Sequence, residues 1–145
     1  MNHILIALDF SEYSPEVEKV GYALAQKINA SVTLVTIINK FVDYVPMDTG
    51  QVFANQWDAR EDIAQKALKK VKKNHPDVPT EIVSFIGDPK EDIIELSLKK
   101  PTTFIVMGTH GRTGLSHLVT GSIAEYVIRH SVIPIIVVPM RKKSH

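Results

Sequence analysis

Short apolar runs rich in β-branched residues recur along this chain, each parted from the next by a segment of helical periodicity, and that alternation constrains the fold most. The runs are Ile4 to Leu8, Val32 to Ile38, Thr80 to Ile86, Thr103 to Met107 and Ile135 to Val138. Continuous apolar runs suit strands covered on both faces. Strands alternating with helices imply right-handed β-α-β crossovers and an α/β domain with a parallel sheet between two helical layers. Pro134 and Pro139 bracket the last run, as expected of an edge strand. With 145 residues, one compact core and a single domain over 1–145 are expected.

The helices are set by their ends as much as by their period. Ser14-Pro15-Glu16 reads as an N-cap, a first-turn proline and an acidic first turn, followed by Val17, Val20, Leu24 and Ile28, with the helix ending near Asn29. Asn39 to Gly50 reads as a loop. Gln51 to Lys73 follows as a long amphipathic helix, with Phe53, Trp57, Ala64, Leu68 and Val71 opposite Lys66, Lys69, Lys70, Lys72 and Lys73. That lysine run is read as a solvated face. Asp88 and Pro89 start the next helix, with Glu91 completing a capping-box pattern and Ile93, Ile94, Leu96 and Leu98 on its apolar side before Pro101 stops it. Ser122 to His130 is the last helix.

Composition removes several classes of function. Seventeen Lys and Arg against sixteen Asp and Glu give a net charge of +1, too balanced to steer nucleic acid or an anionic membrane. With no cysteine there is neither a disulfide nor a thiolate metal site. The opening apolar stretch is cut by Asp9, too soon for a signal peptide or a membrane span, so a cytoplasmic location without membrane insertion is expected. The six histidines show no metal-ligand spacing and are read as polar loop or surface residues.

In open parallel sheets ligands bind outside the carboxyl ends of the strands, where strand order reverses. Two segments carry suitable residues there. Asp9, after the first strand, can accept from a ribose hydroxyl or a base amine, or equally serve as a turn residue. Gly108-Thr109-His110-Gly111-Arg112-Thr113-Gly114-Leu115-Ser116 follows the fourth strand, with Gly121-Ser122 opening the next helix. Its glycines allow close backbone approach to phosphate, the helix start offers free N–H groups, and Arg112 and Ser122 add a charge and a hydroxyl; an ordinary loop is the alternative. No stretch reads as a P-loop, no Gly-x-Gly-x-x-Gly follows strand one, no serine sits in a nucleophile elbow, and no convincing carboxylate pair lies near the loop.

The segment Met107 to Gly114, continuing through Thr120-Gly121-Ser122-Ile123-Ala124-Glu125, strongly resembles the universal stress protein family. Gly108, Gly111, Gly121 and Ser122 fit the Gly-x-x-Gly-x(9)-Gly-Ser/Thr pattern of its ATP-binding members, and Ile6 to Ser11 and Pro134 to Pro139 resemble its opening and closing strands. The resemblance implies a Rossmann-like, five-stranded sheet in the order 3-2-1-4-5. It places Asp9 and Ile37 by an adenosine and the glycine motif with Ser122 on the phosphates, with Ala7, Met107, His110, Arg112 and Ile123 completing the set. It further implies an ATP ligand with Mg²⁺, and a homodimer through the C-terminal strand 135–139. A regulatory, nucleotide-dependent dimer is the leading expectation; a slow ATPase or autophosphorylating phosphotransferase and a purely structural dimerisation module are the alternatives.

Overall fold

The structure, a computed structural model, describes residues 1–41, 53–109 and 121–139, with the backbone alone at 53–56. Strands β1 (His3–Ala7), β2 (Ser31–Asn39), β3 (Thr80–Gly87), β4 (Phe104–Gly108) and β5 (Ile135–Val138) alternate with helices α1 (Ser14–Lys27), α2 (Phe53–Asn74), α3 (Pro89–Lys99) and α4 (Ser122–His130). All strand pairs are parallel and the order is β3-β2-β1-β4-β5, as the family resemblance implies. The proline-bracketed run is an edge strand.

Side-chain alternation along the strands divides the core in two. Ile4, Ile6, Val32 and Leu34 face α1 and α2, where they meet Val17, Tyr22, Leu68 and Val71. Leu5, Val35, Ile105 and Met107 face α3 and α4, against Ile93, Ala124 and Val127. Helix α1 lies close over β1 because Gly21 has no side chain: a Cβ there would sit 2.6 Å from Ile6 Cδ1. His75, just past α2, ties that layer together, its Nε2 lying 2.7 Å from Glu18 Oε1 and its ring stacked at 3.8 Å on Tyr22. Of α2's apolar stripe, Ala64, Leu68 and Val71 are buried, and the lysines opposite are exposed.

Three details differ from the sequence reading, each for a local reason. The N-cap of α1 is Tyr13; Ser14 is already helical because its hydroxyl is drawn to Asp9 and its N–H to the Ser11 carbonyl. The acid that reaches back to the start of α3 is Asp92, not Glu91: its Oδ2 accepts from Asp88 N at 2.8 Å, in space that Gly87 leaves open. On α3, Leu98 is 60% exposed and the inward position is taken by Ser97, one turn beyond Ile93, whose hydroxyl donates to the Ile94 carbonyl.

His3 is neither a loop nor a surface residue. It lies in β1, half-buried, with Nδ1 2.6 Å from Ser31 Oγ and Nε2 2.7 Å from Thr33 Oγ1. Burial, helped by the Lys100 charge and opposed by Glu81, pulls its imidazole below the ordinary value of 6.5. The unfolded chain therefore takes up a proton near pH 6.5 that the folded state refuses, so stability falls as the pH drops through that value. His3→Gln is expected to flatten this acid slope, read as the difference in Tm between pH 7.5 and pH 5.5. An unchanged slope would place the proton uptake elsewhere.

Candidate functional site

The chain runs from β1 to β2 and β3 on one side and returns to β4 and β5 on the other, so strand order reverses at β1. β1 is also short. Its last rung to β2 is the bond from Leu8 N to the Val35 carbonyl, 2.9 Å. Thr36 to Asn39 continue beside β3 alone, an overhang of about 13 Å at the usual rise of a strand. Ladder alternation decides where their backbone groups point. Val32 N and Lys40 N bond toward the β3 side, whereas Ser31 N and the Val35 carbonyl bond toward β1. Ile37 shares the parity of Val35, so its N–H and C=O face the gap beyond the end of β1.

The chain turns sharply after β1. Asp9 Oδ1 accepts from Ser11 N at 2.9 Å and from the Ser14 hydroxyl at 3.1 Å, and Ser11 Oγ accepts from Tyr13 N. Both bonds use the same carboxylate oxygen, leaving Oδ2 without a partner among the described residues. Between Asp9 and Ser11, Phe10 has φ 56°. For a bulky L-residue this left-handed conformation costs roughly 1–2 kcal/mol, offset here by packing of its partly buried ring on the α1/α2 cluster.

Across β1, the end of β4 is fixed to the start of α4. Thr109 N donates to the Val138 carbonyl and Gly121 N to the Thr109 carbonyl, 2.7 Å, with Gly121 the N-cap. The α4 ladder begins with Glu125 N on the Gly121 carbonyl, so the N–H groups of Ser122, Ile123 and Ala124 precede any intrahelical bond. They form the positive end of the α4 dipole. The start of α3 borders the same opening, with Asp88 Oδ1 capping Lys90 N at 3.1 Å.

These parts line one cleft of about 820 Å³, within the range of small-molecule sites. It brings together Ala7, Asp9, Ile37, Met107, Gly108, Gly121, Ser122 and Ile123 of the expected set. His110, Gly111 and Arg112 lie outside the described residues. The cleft also takes in Phe10 and Ser11, which the sequence placed in the Asp9 segment without a role, and residues it gave no place at the site: Tyr13 after β1, Thr36 and Asn39 on the overhang, Lys90 and Ile93 on α3, and Arg60, Ile63 and Ala67 on α2. Its apolar walls come from both core layers, Leu8 and Val17 from one and Ala7, Met107 and Ile93 from the other. A hydrogen bond to Glu12 holds the Tyr13 phenol above its usual range, so it stays a donor at the rim. Ile37 came with the family resemblance, and the parity of β2 against the end of β1 gives its physical reason; the α2 residues carried no sequence signal, because the cleft draws them from a helix whose periodicity reports burial alone.

The universal stress protein family model matches residues 1–139. The chain belongs to that family. It is 34% identical to universal stress protein MJ0531 of Methanocaldococcus jannaschii over 149 residues, covering 97% of this chain and 84% of that protein. Among solved structures, the MJ0577 protein of the same organism superposes with a TM-score of 0.83 at 26% identity over 98% of each chain. The fold is shared by a universal stress protein in complex with cAMP, TM-score 0.66, 19% identity and 95% and 96% coverage. A universal stress protein from Archaeoglobus fulgidus in complex with dAMP has a TM-score of 0.61, 20% identity and 94% and 96% coverage. No helix among the described residues is long and apolar enough to cross a membrane.

Proposed function

We propose that this universal stress protein binds an adenine nucleotide, ATP with Mg²⁺, in the cleft at the end of β1. The carrying observation is the meeting there of an outward backbone donor–acceptor pair at Ile37, a carboxylate oxygen of Asp9 and the open start of α4. Each suits a different part of one ligand. The Ile37 N–H and C=O match the ring-nitrogen acceptor and adjacent amino donor of adenine, an order that guanine reverses. Asp9 accepts from the ribose hydroxyls. Ser122 and the first N–H groups of α4 take phosphate, with Gly108 and Gly121 keeping side chains out of its approach. Among the described residues no group of three acidic or histidine side chains gathers to hold a metal. Mg²⁺ would therefore be held largely by the phosphates, where its charge eases the crowding of phosphate oxygens. That relatives have been captured with cAMP and dAMP supports the adenine reading.

Isothermal titration tests it. ATP and AMP are expected to bind, and GTP to bind at least about tenfold more weakly because its base leaves the Ile37 pair unmatched. Equal affinity for ATP and GTP, or no binding of either, would remove this reading of the cleft.

The open side of β5 supports the second part of the proposal, a homodimer through residues 135–139. Ile105 N bonds to the Pro134 carbonyl and Thr109 N to the Val138 carbonyl, so the even positions of β5 serve β4. Ile135 and Val137 direct their N–H and C=O outward, along an apolar edge that a second copy can pair with. Val137→Pro removes an outward donor and leaves the β4 ladder whole. It is expected to turn a dimer into a monomer in light scattering with the circular dichroism spectrum unchanged. A dimer that survives would put the interface elsewhere.

A further inference from the structure

Phe10 and Asn29 are the described non-glycine residues with positive φ, at 56° and 54°. Asn29 follows the C-cap of α1, where an asparagine in the left-handed region closes a helix at little cost. No such rule covers a phenylalanine. Its strain persists only if its surroundings impose it, and such positions gather at functional sites. Here the surroundings are visible: the ring packs against the α1/α2 cluster, while the backbone on either side carries Asp9 and Ser11, which form the turn facing the cleft.

We infer that Phe10 is a positioning residue, whose ring holds the strained turn that aims the outer carboxylate oxygen of Asp9 into the cleft; this rests on the adenine-nucleotide reading of that cleft. If the φ of Phe10 relaxed to a negative value, the Ser11 N–H would swing off Asp9 Oδ1. Asp9 would then lose the bond that fixes its rotamer. The ring and the strain are opposed halves of one device: packing supplies the force and the left-handed backbone converts it into a direction.

That opposition gives the test. Phe10→Ala removes the ring and keeps the Cβ that disfavours the left-handed region, so the turn opens. Phe10→Gly removes the ring and the strain together, so the turn remains accessible. ATP affinity measured by titration is expected to fall about tenfold or more in Phe10→Ala, and only about threefold in Phe10→Gly. Phe10→Asn, which also tolerates the left-handed region, is expected to resemble the glycine variant, and Phe10→Leu, which keeps an apolar anchor, to stay near wild type. With 2′,3′-dideoxy-ATP, which lacks the hydroxyls Asp9 would hold, the difference between alanine and glycine should vanish. Thermal unfolding is expected to show both losing stability, so that affinity and stability rank them differently. Equal loss of ATP affinity in Phe10→Ala and Phe10→Gly would mean that the ring acts by contact or bulk alone, and would overturn this inference while leaving the nucleotide reading intact. A wild-type protein that binds no adenine nucleotide would overturn both.

Discussion

Asp9→Asn is expected to weaken ATP binding roughly ten- to a hundredfold, the loss that follows when hydrogen bonds to a charged acceptor are removed. The substitution is chosen because the two oxygens of Asp9 do different work. Oδ1 holds the turn through Ser11 N and the Ser14 hydroxyl, and an asparagine can keep both bonds. Oδ2 is the oxygen left for the ribose in the proposed reading, and there asparagine presents an amide donor to hydroxyls that need an acceptor. Stability should therefore change little while affinity falls, and the deficit should shrink for a nucleotide lacking ribose hydroxyls. A variant that binds ATP as well as wild type would take Asp9 out of ligand contact and leave it as a turn residue.

Leu68→Ala is expected to cost about 2–5 kcal/mol of stability, the range for truncating a buried leucine. Leu68 is fully buried and, with Val71, carries α2 into the cluster of Ile4, Ile6, Leu34 and Val78. A chain of this size has about 5–15 kcal/mol in total, so the change should lower Tm by roughly 5–15 °C. Ile63→Ala, on the same helix, is the control: at 67% exposure it should stay within about 0.5 kcal/mol of wild type. Similar losses in the two variants would mean that α2 is held by something other than its inward stripe.

Strands were legible because each is an apolar run bounded by a turn signal, and their observed ends fall within a residue or so of those runs. The order of the sheet was not contained in periodicity; it came with the resemblance, since crossovers fix handedness but not which neighbour a strand chooses. The details that sequence missed share a cause. Ser14, Glu91 and Leu98 were assigned from helix rules that treat each helix by itself, whereas Asp9, Gly87 and the burial of Ser97 are matters of what lies across from the helix. In the cleft, Asp9, Gly121 and Ser122 announced themselves by residue type. Phe10 did not, because nothing in its identity signals a positive φ.

The overhang of β2 also sets what changes in length the chain can absorb. On the reading proposed for the cleft, Ile37 meets the base with backbone groups that any residue would supply, so most substitutions there leave the donor–acceptor pair intact; a change in length acts instead on the side chains. Loss or gain of one residue after Val35 would put another, equally competent backbone at that register but turn every later side chain of the strand to the opposite face, taking that of Ile37 out of the α3/α4 layer, and a change of two would restore the faces. Insertions and deletions in that stretch should therefore be tolerated in pairs, which makes a strand with almost no side-chain signature one of the least editable parts of the molecule.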